Sequence, residues 1–238
     1  MLKLGIIGGT SWASTALYYD QINKGIAVRL GGLSSARLII ESLDFAPLAA
    51  MHNTGNWEGA TAIAVAAAER LKGAGADGLL IASNTMHKAK AAVVAATGLP
   101  LIDIGEAAAD RLVADKRINV ALLGTRFTMT EPFARTAYEQ RGIHLHRLAA
   151  EWESEVDRII YEELAAGRVV RDSQRKLRTL ITELGKLKVQ AIVLGCTELA
   201  LAVDVRANVL PVYDTTAIHA RAAVEWMLAD EVAARQAA

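Results

Sequence analysis

A single cysteine, Cys196, stands in the 238-residue chain, so no disulfide can form within it and no cysteine-rich metal framework is available. Prolines number four, and no low-complexity linker is expected between parts of the chain. Neither charge sign is in excess, with 26 basic and 26 acidic residues. Without a basic field there is little to attract nucleic acid or an anionic lipid surface, and a small-molecule partner is the better expectation. Apolar runs stay short of the roughly 18 residues that a membrane span needs, and the start, "MLKLGIIGGT", is broken by glycine too early for a signal peptide. A cytoplasmic location is expected on those grounds. The histidines (His52, His87, His144, His146 and His219) are scattered without an HxxxH pair, so no metal site is expected.

What the chain does contain is 53% hydrophobic residues, arranged as short apolar runs that alternate with Ala-, Leu- and Glu-rich helical stretches. Strands are expected at 3–8, 36–43, 77–83, 99–104, 118–124, 189–195 and 208–214, with one more at 142–149. Their near-continuous apolarity predicts burial on both faces, as in a parallel sheet. Helices are expected at 59–71, 106–114, 152–166 and 218–228, and the alternation predicts a doubly wound α/β architecture. The tail "DEVAARQAA" reads as dispensable.

Three landmarks recur in the same order. "GIIGGT" (5–10) is echoed by "ALLGTR" (121–126), "IASNT" (81–85) by "LGCTE" (194–198), and "LPLID" (99–103) by "LPVYD" (210–214). Gly8 and Gly124, Ser83 and Cys196, and Leu99 and Leu210 stand 116, 113 and 111 residues apart, which predicts two homologous, pseudo-symmetric lobes with parallel sheets and a cleft between them. Each landmark sets small polar residues where a strand gives way to a helix. Strand ends and helix N-termini present free N–H groups to anions, so these turns are candidate walls of a carboxylate-binding cleft. Individually, Thr10, Asn84, Thr85, Thr125, Thr128 and Thr197 could equally be helix caps. The glycines of "GIIGGTSW" do not form the GxGxxG of a dinucleotide fold, and Gly8 and Gly9 read as a tight turn.

Cys196 is the strongest candidate for chemistry. It follows a glycine at a strand end and precedes "TEL", where a helix N-terminus would favour the thiolate. Glu198 could hold Thr197 or a ligand ammonium, or satisfy the first helical turn. His87, four residues after Ser83, could relay protons or remain a solvated first-turn residue.

Taken together, "GIIGGTSWASTALYY", "SNTMH", "LLGTRFTM", "GCTEL" and "DTTAIHARAAVEW" resemble, in this order and across essentially the whole chain, the aspartate/glutamate racemase family, which also contains hydantoin racemase, maleate isomerase and arylmalonate decarboxylase. The resemblance implies two lobes, residues 1–98 with 212–238 and residues 99–211, acting on a substrate held between them without a cofactor, usually as a homodimer. It implies racemisation of an acidic amino acid by one thiolate that removes the α-proton and a second thiol that returns one. Cys196 matches the second family cysteine, and Ser83 stands in the place of the first. Asn84, Thr85 and Thr197 match residues that hold the α-carboxylate, while Thr10, His52, Thr125 and Glu198 complete the expected substrate contacts. An arginine that aspartate-specific members carry after the second strand is missing from "LDFAPLAAMHNTGNW". The competing readings are a single-cysteine decarboxylase, in which Cys196 only protonates a carbanion, and an amino-acid-binding protein without turnover.

Overall fold

A computed structural model describes residues 1–204 and 206–229; the tail beginning at Asp230 lies outside the described residues. The chain divides into two compact units, Met1–Asp103 together with the chain from His219, and Ile104–Ile218.

In the first unit the elements run β1 (Leu4–Gly8), α1 (Trp12–Leu30), β2 (Leu38–Ser42), α2 (Phe45–Thr54), α3 (Trp57–Gly73), β3 (Gly78–Ile81), a 3-10 turn (Thr85–Ala89), α4 (Lys90–Thr97) and β4 (Leu101–Ile102). All strand pairings are parallel, in the order β2-β1-β3-β4. Side-chain alternation divides the core. Ile7, Leu79 and Ile81 pack against α3 and its neighbours, through Ala60, Ala64 and Leu71. Leu4, Ile6 and Leu80 face the other way, onto Tyr18, Ile22 and Ile26 of α1. Both faces of the sheet are therefore apolar, which is why the strands read as unbroken hydrophobic runs.

The second unit repeats the plan with α5 (Ile104–Ala114), β5 (Asn119–Gly124), α6 (Arg126–Thr130), α7 (Pro132–Glu139), β6 (His144–His146), α8 (Ala150–Arg158), a π-helical turn (Ile159–Leu164), α9 (Arg171–Lys186), β7 (Ala191–Gly195), α10 (Leu199–Ala202) and β8 (Val212–Asp214). Its sheet is again parallel, in the equivalent order β6-β5-β7-β8. Ala121, Leu123, Ile192 and Leu194 pack on one side with Val156, Leu177 and other residues of α8, the π turn and α9. On the other side Val120, Leu122, Ala191 and Val193 meet Leu112 and Tyr138. The final helix, α11 (Thr215–Met227), starts in the second unit, and from His219 onward its residues pack on the first sheet.

Two local differences from the expected elements have physical causes. β4 is two residues long instead of the six expected at 99–104, because Pro100 has no N–H to give to a ladder and Asp103 turns away to pair with Lys90 at 2.8 Å. The helix expected over 152–166 is α-helical only to Arg158 and then widens into the π turn, locked by Arg158 on the carboxylates of Glu155, Glu162 and Glu163. No helix among the described residues is long and apolar enough to cross a membrane.

Candidate active site

In each sheet the chain leaves the first strand to one side and returns on the other, so the carboxyl ends of β1 and β3, and of β5 and β7, flank a topological switch point where open α/β sheets bind ligands. The turns singled out from the sequence all lie at these ends.

In the first unit, Gly8 leads into Gly9, whose φ of +84° lies in the left-handed region and whose hypothetical Cβ would fall 2.1 Å from the Leu43 carbonyl oxygen, so only glycine fits. Its N–H donates to Thr15 Oγ1 at 2.8 Å. Thr10 follows, and Ser11 rather than Thr10 caps α1, accepting from the Ser14 N–H. Thr10 Oγ1 is buried and has no hydrogen-bond partner among the described residues, which makes it available to a ligand.

After β3, Ser83 is half-buried and its hydroxyl oxygen accepts from the Met86 N–H at 3.3 Å, so it caps the 3-10 turn. Asn84 is half-buried beside it, and Thr85 is 8% exposed. His87 is not a solvated first-turn residue. It is 7% exposed, and Nδ1–H donates to the Ser83 carbonyl at 2.7 Å, fixing the turn from beneath. Burial, more than the opposing pull of Asp103 and the backbone carbonyls of Ser83 and Ile102, keeps its pKa below the ordinary value. Behind it lies His219, ring centroids 5.6 Å apart. Its Nε2–H donates to the Ile102 carbonyl, Nδ1 receives the Tyr18 hydroxyl, both at 2.8 Å, and burial and the neighbouring His87 push its pKa down to about 3. His52 is 2% exposed, its Nε2 lies 3.3 Å from Met86 Sδ, and its ring stacks on Trp57 at 4.7 Å. Burial, then the Lys88 charge, lowers its pKa.

In the second unit, Gly124 and Gly195 are register partners at the ends of β5 and β7, and the residues that follow them form the turn pair. Thr125 is buried and caps α6, accepting from Thr128 N–H at 3.4 Å. Cys196, 9% exposed, donates its Sγ proton to Glu198 Oε2 at 3.0 Å, with Thr197 half-buried between them. Here the expectation of a helix-favoured thiolate fails. The helix after the turn is only four residues long, and burial first, then the Glu198 charge, then the hydrogen bond to it raise the thiol pKa well above its ordinary value. The resting group is a thiol poised against a carboxylate.

The sequence reading passed over three groups around this turn. Asp157 Oδ1 accepts from the Arg126 N–H at 2.7 Å, and the Arg126 guanidinium lies 4.6 Å from the Phe127 ring centre. Tyr161, in the π turn, has its pKa pushed up to about 12, first by burial and then by Asp157, Cys196 and Glu198, against the opposing effect of Arg126. The repeat "GGT" and "GTR" marks Arg126 as a strand-end residue, but nothing in composition marks a π turn. A cavity of about 700 Å³ elsewhere in this unit is lined by α9 and the stretch after Ala200, and includes none of Thr125, Cys196, Thr197 or Glu198. No group of three or more His, Cys, Asp or Glu side chains among the described residues is arranged to hold a metal ion.

Comparison with known proteins agrees with the fold. The sequence profile described as Asp/Glu/Hydantoin racemase matches residues 7–223. A Yersinia pestis protein provisionally named an Asp/Glu racemase is 41% identical, with 96% of this chain and 100% of that chain covered and a TM-score of 0.89. An aspartate racemase homologue from Pyrococcus horikoshii OT3 is 33% identical over 95% of this chain and 99% of that one, at a TM-score of 0.80. A glutamate racemase from Francisella tularensis, solved with D-glutamate, shares the fold at 15% identity and a TM-score of 0.62, over 97% of this chain and 82% of that chain.

Proposed function

This chain belongs to the Asp/Glu/hydantoin racemase family, and we propose that it is a cofactor-independent amino-acid racemase acting on aspartate, glutamate or both. The observation that carries the reading is the Cys196 thiol 3.0 Å from the Glu198 carboxylate at a sheet switch point. A buried thiol of high pKa cannot by itself take an α-proton at neutral pH. With Glu198 in contact, the proton moves from Sγ to Oε2, and the thiolate that results takes the α-proton of the bound amino acid. The carbanion is quenched when a proton returns. Return from Cys196 regenerates the starting enantiomer, with solvent hydrogen in place of the original when the Cys196 thiol has exchanged its proton with water first. Inversion needs a second donor, a role the proposal gives to Ser83 or a water that it holds. Thr10, Asn84, Thr85 and Thr197 are assigned to the substrate carboxylate, and Thr125 and His52 to supporting the turns and shaping the pocket.

The decarboxylase alternative draws on the same feature, since a thiol of raised pKa is also a competent proton donor to a carbanion. One experiment separates them. Each enantiomer of aspartate and glutamate is incubated with the protein in D₂O, the α-proton signal is followed by NMR, and the products are resolved by chiral chromatography. Loss of the α-proton signal together with appearance of the opposite enantiomer is the expected result. No exchange with either amino acid, alongside CO₂ release from a malonate, would transfer the assignment to decarboxylation.

A further inference from the structure

If the substrate is an acidic amino acid, its side-chain carboxylate must enter surroundings that already hold Glu198 and Asp157, and it needs a cation to offset them. Just beyond the strand ends beside Cys196, the second unit offers two, Arg126 and Arg147. β6, β5 and β7 are neighbours in that order, and three residues follow their ends in a way that can be compared: Arg147 after β6, Arg126 after β5 and Cys196 after β7. Gly124 is in register with Gly195, so Arg126 stands two residues beyond the same sheet edge that Cys196 leaves by one, on the adjacent strand. Neighbouring strands are about 4.8 Å apart, a gap an arginine side chain spans, whereas Arg147 starts a further strand away.

Arg126 is also held for the task. Its backbone N–H is fixed by the Asp157 carboxylate at 2.7 Å, and its guanidinium lies over the Phe127 ring, 4.6 Å from the ring centre. The residue is exposed, and its guanidinium makes no ion pair among the described residues. Arg126 also works against the rise in the Tyr161 pKa that burial, Asp157, Cys196 and Glu198 produce.

From this juxtaposition we propose that Arg126 binds the side-chain carboxylate of the acidic substrate and so sets the preference for acids over their amides. The assignment rests on the racemase reading of the Cys196 site. A fork of N–H donors grips a carboxylate in two parallel bonds, a geometry that an uncharged amide side chain meets only in part.

Calorimetric titration tests it without requiring turnover. L-aspartate, L-glutamate, L-asparagine and L-glutamine are titrated into the wild type, Arg126→Met, Arg126→Lys and, as a control at the same sheet edge, Arg147→Met, with thermal melting to verify folding. Arg126→Met is expected to weaken binding of both acids by roughly 30-fold or more, the change typical of removing one partner of a charged hydrogen-bonded pair, with the amides unaffected. Arg126→Lys should recover part of the loss, because it restores charge without the fork, and Arg147→Met should match the wild type. The proposal is overturned if Arg126→Met binds the acids as the wild type does, if acids and amides weaken together, or if the wild type does not favour acids. Binding that depends on Arg126 without α-proton exchange in D₂O would instead remove the racemase reading and leave Arg126 as the acid-binding residue.

Discussion

Glu198→Gln separates two consequences of one contact. With Sγ and Oε2 3.0 Å apart, a thiolate at Cys196 would sit against a carboxylate, and two unit charges at that spacing repel by about 5.5 kcal/mol at an effective dielectric of about 20. Glu198 is half-buried, so solvent screens part of this. Even a quarter of it, about 1.4 kcal/mol, is a tenfold change in the thiolate population. Glutamine preserves the shape of the side chain and removes the charge, so the thiol pKa should fall from its raised position. Alkylation of Cys196 by iodoacetamide, followed against pH, should therefore accelerate at neutral pH by about tenfold or more, with its midpoint displaced to lower pH. Racemisation should move the other way, because the group that accepts the thiol proton is gone; loss of a general base typically costs about 10² to 10⁴ in rate. A purely structural role for Glu198 would shift both readouts together or neither. Unchanged or slower alkylation in Glu198→Gln, or undiminished racemisation, would refute the reasoning.

Ser83→Cys should raise the rate of inversion relative to α-proton exchange, and Cys196→Ser should abolish both; wild-type exchange in Cys196→Ser, read by NMR in D₂O, would exclude Cys196 as the base. The depressed pKa of His219, about 3 when folded against an ordinary value of 6.5, ties stability to pH: the contribution is fully present above about pH 6.5 and is lost as pH falls toward 3, by up to about 1.4 kcal/mol per pH unit from this group. Urea unfolding between pH 7 and 4 should follow that slope, and His219→Phe should be less stable at pH 7 but flatter with pH, an equal slope in the two proteins counting against the assignment. Gly9→Ala, which would drive a Cβ to 2.1 Å from the Leu43 carbonyl oxygen, should cost roughly 3 kcal/mol or more, whereas Gly31→Ala, also at positive φ but in open space, should cost only about 1 to 2 kcal/mol by thermal melting.

The strands were legible because burial on both faces leaves few polar positions in them: Leu4 through Gly8 and Ala191 through Gly195 are buried without exception. The repeat of landmarks anticipated the shared strand order, since each landmark is a strand end that the topology uses in the same way. The π turn was not legible. "IIYEEL" has ordinary helical composition, and its widened hydrogen bonding depends on Arg158 meeting three glutamates, which involves the folded side chains rather than local propensity. β6 was foreseen over eight residues and forms over three, because as an edge strand it has one neighbour, and only Leu145 of its three residues is buried.

The chemistry was harder to read than the fold, and Ser83 and Cys196 illustrate why. They occupy equivalent places in equivalent sheets, yet Ser83 Oγ accepts a backbone N–H from Met86, while Cys196 Sγ donates to a carboxylate. The sequence gives the identity of the two atoms, but the direction of each hydrogen bond depends on what the fold brings beside them. In the proposed mechanism, a hydroxyl oxygen already engaged by a backbone N–H, with no base in contact among the described residues, is the weaker proton donor of the two. The imbalance cannot make the reaction one-way. Free enantiomers have equal energy in water, so kcat/KM must be equal in the two directions. A weak second donor is expressed instead in kcat and KM separately and in how often a carbanion regains its proton from Cys196 before it inverts. In the proposed mechanism, the ratio of exchange to inversion therefore measures the difference between the two strand ends.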